Sequence, residues 1–272
     1  MDKVNQDLSP ASVIRAIEDN GAELFLHMGQ VGGGHQRLDQ RLTWSIGGSP
    51  IDYHNCVVHA DLDPEETDAA IAESVRAMQA SGVPGTWHVG PSMRPLDVGE
   101  RLLAAGFTLG GLEPGMAVDL TALIDDLPTP DGLDVVQVND LATLTMWRDT
   151  LAQGFGEGER EATWVAGVYE RIGFGADAPL RHFLARLDGE PVGTSTVYFG
   201  AGVAGIYFVM AVPSVRRRGV GAAVSLAALR TARALGHRIG VLTSSPAGRS
   251  VYRRLGFRDY CEIGIYEWTP AA

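Results

Sequence analysis

Alternating and helical patterns of apolar positions divide this chain into short strands and amphipathic helices. Runs of β-branched and aromatic residues predict strands, and apolar residues at three- to four-residue spacing predict helices. In the first half, strands are predicted at 22–28, 41–46, 55–60, 85–90 and 116–120, and helices at 10–20, 63–81 and 95–107. In the second half, strands are predicted at 134–138, 181–187, 192–199, 206–212, 239–243 and 260–268, and helices at 141–153, 160–172, 220–235 and 246–255. The mixture predicts an α/β (α+β) fold.

The two halves repeat one order of elements. In each half a helix is followed by a strand, a second helix and a Gly-Phe pair, Gly106-Phe107 in the first and Gly256-Phe257 in the second. This repetition predicts two copies of one fold. An acidic, proline-containing stretch at 125–133 breaks both patterns and is typical of a linker. We therefore expect domains at 1–124 and 134–272.

The most informative stretch runs from strand 206–212 into the helix that follows. Pro213 ends strand pairing because it has no N–H to donate. Gly219 and Gly221 lie where the helix begins, directly after three arginines at 216–218. The first N–H groups of a helix have no partner inside it and can bind a phosphate, which glycines allow to come close. The stretch therefore predicts an anion-binding loop.

The distribution of charge supports an anionic ligand for this segment. Residues 216–258 contain ten arginines and no Asp or Glu, whereas the chain as a whole carries a net charge of −11, so the remainder carries −21. A solvated arginine-rich surface is the alternative interpretation. Nucleic-acid binding through these arginines is a weaker alternative because the chain as a whole is acidic.

Two common phosphate loops are excluded by their missing residues. A Walker loop requires Gly-Lys-Ser/Thr, which the chain lacks. A dinucleotide fingerprint requires a third glycine and an acidic residue about 20 positions further on. Position 224 is a valine, and the next acidic residue is Asp259.

The stretch from Val212 to Gly221, with its Arg-x-x-Gly-x-Gly pattern, resembles the acyl-CoA pyrophosphate loop of the GNAT superfamily of N-acetyltransferases. The ending Tyr-x-x-Leu-Gly-Phe at 252–257 resembles the last helix of that superfamily, and the resemblance covers about 134–268. It implies two GNAT-like domains, each with a mixed central sheet flanked by helices. The first copy is expected to be degenerate, because four acidic residues within 60–66 stand where the second copy has the arginines and glycines.

The resemblance also implies a site and a reaction. The residues expected to bind acetyl-CoA are Val209, Met210, Ala211, Val212, Arg216, Arg217, Arg218, Gly219, Val220, Gly221, Ala222, Ser245 and Tyr252. Tyr252 matches the tyrosine that protonates the departing thiolate. The expected reaction is direct transfer of an acetyl group from acetyl-CoA to an amine in a ternary complex, without a metal. A non-catalytic CoA-binding regulatory module is the alternative function.

The general base stays open at this stage. The central strand at 205–212 contains no Asp, Glu or His, so a carboxylate on that strand is absent. The remaining candidates are Glu157, Glu159, Glu161, His182 and Tyr207, or water. Each glutamate taken singly is more simply interpreted as a solvated surface acid.

The composition and the two cysteines indicate the class of protein and the compartment that are expected. Hydrophobic residues make up 45% and charged residues 20% of the 272 residues, as in soluble globular proteins, and no apolar run is long enough for a membrane span. Cys56 and Cys261 lie in strand-like runs and are expected to be small buried side chains, which suggests a reducing, cytoplasmic setting. His54 and His59 are more simply interpreted as chance polar residues in or beside a strand than as ligands, so no metal is expected. The sequence predicts neither a nucleic-acid nor a membrane partner, and it leaves the acceptor and the oligomeric state open.

Overall fold

The computed structural model describes residues 4–124 and 126–270, so Asp125 of the expected linker lies outside the described residues. The chain forms two compact units. The first comprises the residues up to Asn20 together with Met116–Tyr260, and the second comprises Gly21–Gly115 together with the residues from Cys261. The domain boundaries expected from the sequence stay a prediction, since these compact units draw on both halves of the chain.

The helices and strands follow one another as a mixed α/β chain. The first elements are α1 (Pro10–Gly32), β1 (His35–Leu38), β2 (Leu42–Ile46), β3 (Cys56–Ala60), α2 (Pro64–Ser81), β4 (Gly85–Val89), α3 (Val98–Ala104) and β5 (Thr108–Asp119). The later elements are β6 (Leu133–Gln137), α4 (Leu141–Leu151), α5 (Glu159–Ile172), β7 (Leu180–Leu187), β8 (Glu190–Gly200), β9 (Val203–Ala211), α6 (Val220–Ala234), β10 (Ile239–Thr243), α7 (Arg249–Arg254) and β11 (Arg258–Trp268). None of the helices in these described ranges is both long and apolar enough to cross a membrane.

The first unit is built on a sheet in the order β6-β7-β8-β9-β10, followed by the part of β5 from Met116 onward. Strands β6 to β9 are antiparallel neighbours, and β9 and β10 are parallel. The hydroxyl of Ser195 on β8 donates to the carbonyl of Val224 on α6, whereas Thr196 contacts His182. Because neighbouring strand residues point to opposite faces, α6 covers one face and the His182 side chain lies on the other.

The strands of the second unit lie in the order β1-β2-β3-β4-β11, followed by the part of β5 up to Gly115. Strands β3 and β4 are parallel, and the other paired neighbours from β1 to β11 are antiparallel. Its core is centred on the fully buried Trp87, whose indole N–H donates to the Ser74 hydroxyl at 3.0 Å. This unit therefore has a hydrophobic core of its own.

Most expected elements agree with the structure to within a few residues, but the N-terminal region does not. The expected strand at 22–28 is wrong, because α1 continues without a break to Gly32. Leu24, Phe25 and Met28 are buried together at the spacing of one helix face, and that grouping outweighs their strand propensity. Strand β1 was not expected, and β5 begins eight residues before the short strand expected at 116–120.

Candidate functional site

Strands β9 and β10 separate partway along their length. They pair only at Ala204 with Gly240 and at Gly205 with Val241. Beyond these positions β9 continues beside β8 as far as Ala211. The separation leaves the edge of β9 that faces β10 without a strand partner, and such an edge offers backbone N–H and C=O groups to a ligand. The expected pantetheine-binding residues 209–212 all lie along or directly after this part of β9.

A β-bulge lies where the two strands separate. Thr196 pairs with Tyr207 and Thr194 pairs with Met210, so two residues of β9 stand opposite Ser195 alone. Within the bulge, Phe208 has a φ of +50°, a left-handed conformation that is uncommon for a bulky residue. A bulge increases the local twist and turns the strand.

Aromatic packing holds Phe208 in this conformation. Its ring centroid lies 5.5 Å from that of Phe155, 6.0 Å from that of Tyr169 and 6.2 Å from that of Trp147. These rings come from α4, α5 and the loop between them. The bulge is therefore supported by the aromatic cluster on the α4–α5 side of the sheet.

The arginine-glycine loop after β9 leaves backbone donors available. Arg217 and Gly219 have φ values of +62° and +94°, and α6 begins at Val220. In the part of the chain that the structure describes, the N–H groups of residues 217–222 donate to no protein acceptor outside the helix. A Cβ atom added to Gly221 would find nothing within 4 Å, so the space beside the first turn is open. The loop has the donors and the room that a phosphate requires.

Three of the ten arginines of residues 216–258 form ion pairs with carboxylates outside that segment. Arg238 pairs with Asp119 at 2.8 Å, and Asp259 pairs with both Arg249 and Arg253 at 2.8 and 2.7 Å. Both carboxylates come from outside the basic segment and neutralise part of its charge. These three side chains are therefore engaged in ion pairs within the first unit.

The three loop arginines differ from one another. The Arg216 guanidinium donates to the backbone oxygens of Ala211 and Gly154 at 3.3 and 3.4 Å, which joins the end of β9 to the loop after α4. Arg217 and Arg218 are exposed. Arg216 thus braces the loop, while the other two extend charge into solvent near the open helix start.

Tyr252 lies on α7 and is 8% exposed, with its ring centroid 5.7 Å from that of Phe257. Burial raises the pKa of the Tyr252 phenol, and the nearby Ser225 side chain on α6 lowers it in part. The phenol is therefore protonated at neutral pH and can act as a proton donor.

Ser245 has a local structural role. Its Oγ accepts from the backbone N–H of Gly248 at 3.3 Å, which closes the turn before α7. Its expected contact with CoA stays a prediction.

The acids in the loop after α4 are not equivalent. Glu157 and Glu159 are exposed, but Glu161 is only 5% exposed, so interpreting it as a solvated surface acid was wrong. Its Oε2 accepts from the backbone N–H of Glu157 at 3.0 Å. A Cβ atom on Gly156 would lie 1.7 Å from that same oxygen. Glu161 therefore organises this loop from inside.

His182 is 1% exposed and lies inside the aromatic cluster. Its Nδ1 is 3.0 Å from the Thr196 hydroxyl, and its ring stacks on Tyr169 with centroids 3.8 Å apart. Burial lowers the pKa of His182 to about 3. The imidazole is neutral at pH 7 and is a weak base.

Tyr207, another candidate base, has a partner that the sequence did not indicate. Its hydroxyl donates to Oδ1 of Asn20 at 2.7 Å, and Asn20 was expected only to end a helix. The two residues are 187 positions apart, so no local pattern could have linked them. Within the described ranges, no group of three or more His, Cys, Asp or Glu residues is arranged to hold a metal ion.

Comparison with known families identifies this region. Residues 144–257 match the acetyltransferase (GNAT) family, and they extend from α4 through the separated strands, the loop and α7. This part of the chain belongs to the GNAT superfamily. Membership supports acyl transfer from CoA as the general activity. No curated protein matches the sequence.

Solved structures extend the similarity of fold to most of the chain. A GCN5-related N-acetyltransferase from Kribbella flavida has a TM-score of 0.69 and 19% identity, over 92% of this chain and 96% of that one. A functionally unknown protein from Staphylococcus epidermidis has a TM-score of 0.67 and 13% identity, over 88% and 95%. A tandem GNAT protein from the clavulanic acid biosynthesis pathway has a TM-score of 0.57 and 16% identity, over 85% and 79%. At these identities the likeness shows the fold, and it confirms the expected class of two GNAT-like domains with mixed sheets.

Proposed function

We propose that this protein transfers an acetyl group from acetyl-CoA directly to an amine in a ternary complex. The observation that carries the proposal is the separation of β9 from β10, which leads straight into a loop with unpaired N–H groups at the start of α6. The separated edge of β9 suits the extended pantetheine arm of CoA, and the loop at the start of α6 suits the pyrophosphate of CoA. The family match supports the same donor.

CoA would be held mainly by backbone groups. The separated part of β9 offers N–H and C=O groups at residues 209–212 to the amide groups of pantetheine. The N–H groups of residues 217–222 would bind the pyrophosphate, where the positive end of the α6 dipole also favours negative charge. Arg217 and Arg218, which are exposed, would add charge from the solvent side.

The chemical step needs a polarised carbonyl and a proton for the leaving group. The amine nitrogen attacks the thioester carbonyl carbon, and a backbone N–H of β9 stabilises the negative oxygen of the tetrahedral intermediate. The C–S bond then breaks, the amide forms, and the CoA sulfur takes the proton of Tyr252. Solvent reprotonates Tyr252 and receives the proton lost by the amine.

Water suits the role of base better than the buried side chains do. His182 is enclosed in the aromatic cluster and has a pKa of about 3, so it has little capacity to take a proton at pH 7. Glu161 is buried and holds the loop after α4 through the Glu157 N–H. A neutral amine loses one proton after its attack, as the amide forms, and water can accept that proton.

The decisive experiment is thermal unfolding with and without acetyl-CoA, on the wild type and on Gly221→Glu. A ligand at 100 times its Kd adds about 2.7 kcal/mol of stability, which corresponds to roughly 5–10 °C. We expect the increase in wild type and its loss in Gly221→Glu, because the carboxylate would enter the open phosphate space. Gly167→Glu is the matched control, since Gly167 is also a partly buried helix glycine with nothing within 4 Å of an added Cβ.

Three outcomes are informative. A wild-type increase that Gly221→Glu abolishes and Gly167→Glu retains supports the donor site. No increase in wild type would refute the proposed donor. An increase without thiol release on adding a panel of primary amines would favour the alternative, a CoA-binding regulatory module, which the lack of an acidic residue or histidine on β9 keeps open.

A further inference from the structure

Helix α1 contributes a buried amide to the strand at the proposed site. Asn20 is fully buried, its Nδ2 donates to the carbonyl oxygen of Gly200 at 2.9 Å, and its Oδ1 accepts from the Tyr207 hydroxyl at 2.7 Å. All three residues belong to the first compact unit. A fully buried side-chain amide is costly unless its groups are hydrogen-bonded, and here both ends are.

Chemistry determines the direction of both hydrogen bonds. A backbone carbonyl can only accept, so the NH₂ group of Asn20 must face Gly200, and its oxygen must face Tyr207. An amide oxygen also can only accept, so the phenol of Tyr207 must donate. With its single proton committed to Asn20, the Tyr207 oxygen can act toward any further group only as an acceptor.

Gly205 provides the space for this arrangement. A Cβ atom at position 205 would lie 1.9 Å from Oδ1 of Asn20 and 2.5 Å from Cε2 of Tyr207. Its φ is not in the left-handed region, so glycine is required there for close approach rather than for backbone conformation. Glycine at position 205 of β9 therefore leaves the space that the Asn20 side chain occupies.

Tyr207 lies at the point where acetyl transfer is proposed. It comes two residues after the last β9 residue that pairs with β10 and directly before the bulge at Phe208. It pairs with Thr196, so its side chain is on the face covered by α4 and α5. Unlike His182 on the same face, Tyr207 is only partly buried.

We propose that the Tyr207 oxygen accepts an N–H of the acceptor amine, and that Asn20 is the positioning residue that makes Tyr207 an acceptor. The inference rests on the proposed function. An amine or ammonium group always brings an N–H, which complements a phenol whose own proton is already committed. The same arrangement disfavours acceptors that offer only lone pairs at this position.

The test is a double-mutant cycle with Tyr207→Phe, Asn20→Leu and the double variant. Thiol release from saturating acetyl-CoA is measured with spermidine, histamine, tyramine, glucosamine and ethanolamine, and KM and kcat are determined for the amine with the fastest turnover. Asn139→Leu is the control, since Asn139 is an exposed asparagine of the same unit. Melting temperatures of all variants report any purely structural effect.

We expect each single variant to raise the KM of the amine about tenfold and to leave the KM of acetyl-CoA within about twofold, the loss expected for one hydrogen bond to a charged group. The double variant should be no worse than Tyr207→Phe, because Asn20 acts through the phenol. Additive effects, or an unchanged amine KM in Tyr207→Phe, would overturn the inference.

A second measurement does not depend on turnover. In protein labelled with [ζ-¹³C]tyrosine and saturated with CoA, the Tyr207 resonance is identified by its absence in Tyr207→Phe. At least one of the five amines should shift it in wild type, and the shift should be smaller in Asn20→Leu. If none shifts it while acetyl-CoA still raises the melting temperature, the inference fails and the proposed donor site stands. If acetyl-CoA has no thermal effect, the proposed function itself fails.

Discussion

Replacing Tyr252 by phenylalanine tests the proposed chemistry with a one-atom change. The ring can keep its contact with Phe257, and only a buried hydroxyl near Ser225 is removed. We expect the free energy of unfolding to change by less than about 1 kcal/mol, because the loss is that of one hydrogen-bonding group. A change in turnover would then report on the reaction rather than on folding.

The structure sets the size of the expected effect. General acid catalysis contributes about 10²–10⁴-fold, and most when the pKa of the acid lies near the operating pH. A thiol has a pKa near 8.5, and burial raises the pKa of Tyr252 above the ordinary phenol value of about 10. Transfer of the proton is therefore uphill, so we expect kcat to fall by about 10²-fold, at the lower end of that range.

The assay is thiol release at saturating acetyl-CoA and amine, with Tyr260→Phe on β11 as a control in the same unit. The KM of acetyl-CoA should stay within about twofold, since the phenol is proposed to act on the leaving group. Because the raised pKa keeps Tyr252 protonated, wild-type kcat should show no decline from this group between pH 7 and pH 9. Wild-type turnover in Tyr252→Phe would remove the residue from the mechanism, and an alkaline decline below pH 9 that disappears in the variant would contradict its raised pKa.

Two further predictions concern stability. The ion pair with Arg238 lowers the pKa of Asp119 to about 2, so its stabilisation is present above the unfolded pKa near 3.9 and is lost as the pH falls through about 2. Asp119→Asn should therefore lower the free energy of unfolding by less than about 1 kcal/mol at pH 7, a modest effect because both side chains are partly exposed, and in urea unfolding the difference should be smaller at pH 2. Trp87→Phe should cost about 2 kcal/mol in urea unfolding followed by circular dichroism, since it leaves a cavity and removes the donor to Ser74. An unchanged midpoint would show that this core is not as tightly packed as the structure indicates, and acetyl-CoA binding should be unaffected.

The N-terminal region shows where a local pattern misleads. Residues 22–28 combine apolar and polar positions in a way that suits either a short strand or one face of a helix. Leu24, Phe25 and Met28 become a single buried face only when they pack, so the helix is decided by burial. Asn20 and Gly21 look like a helix end for the same local reason, yet they lie within α1.

The candidate site also combines features that the local sequence predicts with features that it does not predict. The order of strand, basic loop and helix could be recognised from residues 206–222, because a loop that leads into a helix start is a local feature of the chain. Burial and ion pairing could not be recognised in this way. Glu161 resembles its exposed neighbours in sequence, and Arg249 and Arg253 look available until Asp259 is seen beside them.

The α/β class, the repeated order of elements and the loop before α6 follow from the sequence alone, since each depends on neighbouring residues and on hydrophobic periodicity. How far β9 and β10 stay paired depends on the folded arrangement, and so does the contact of Asn20 with Tyr207 across 187 positions. Those features depend on which distant side chains share a buried space, and the cost of an unpaired polar group in that space selects the partner.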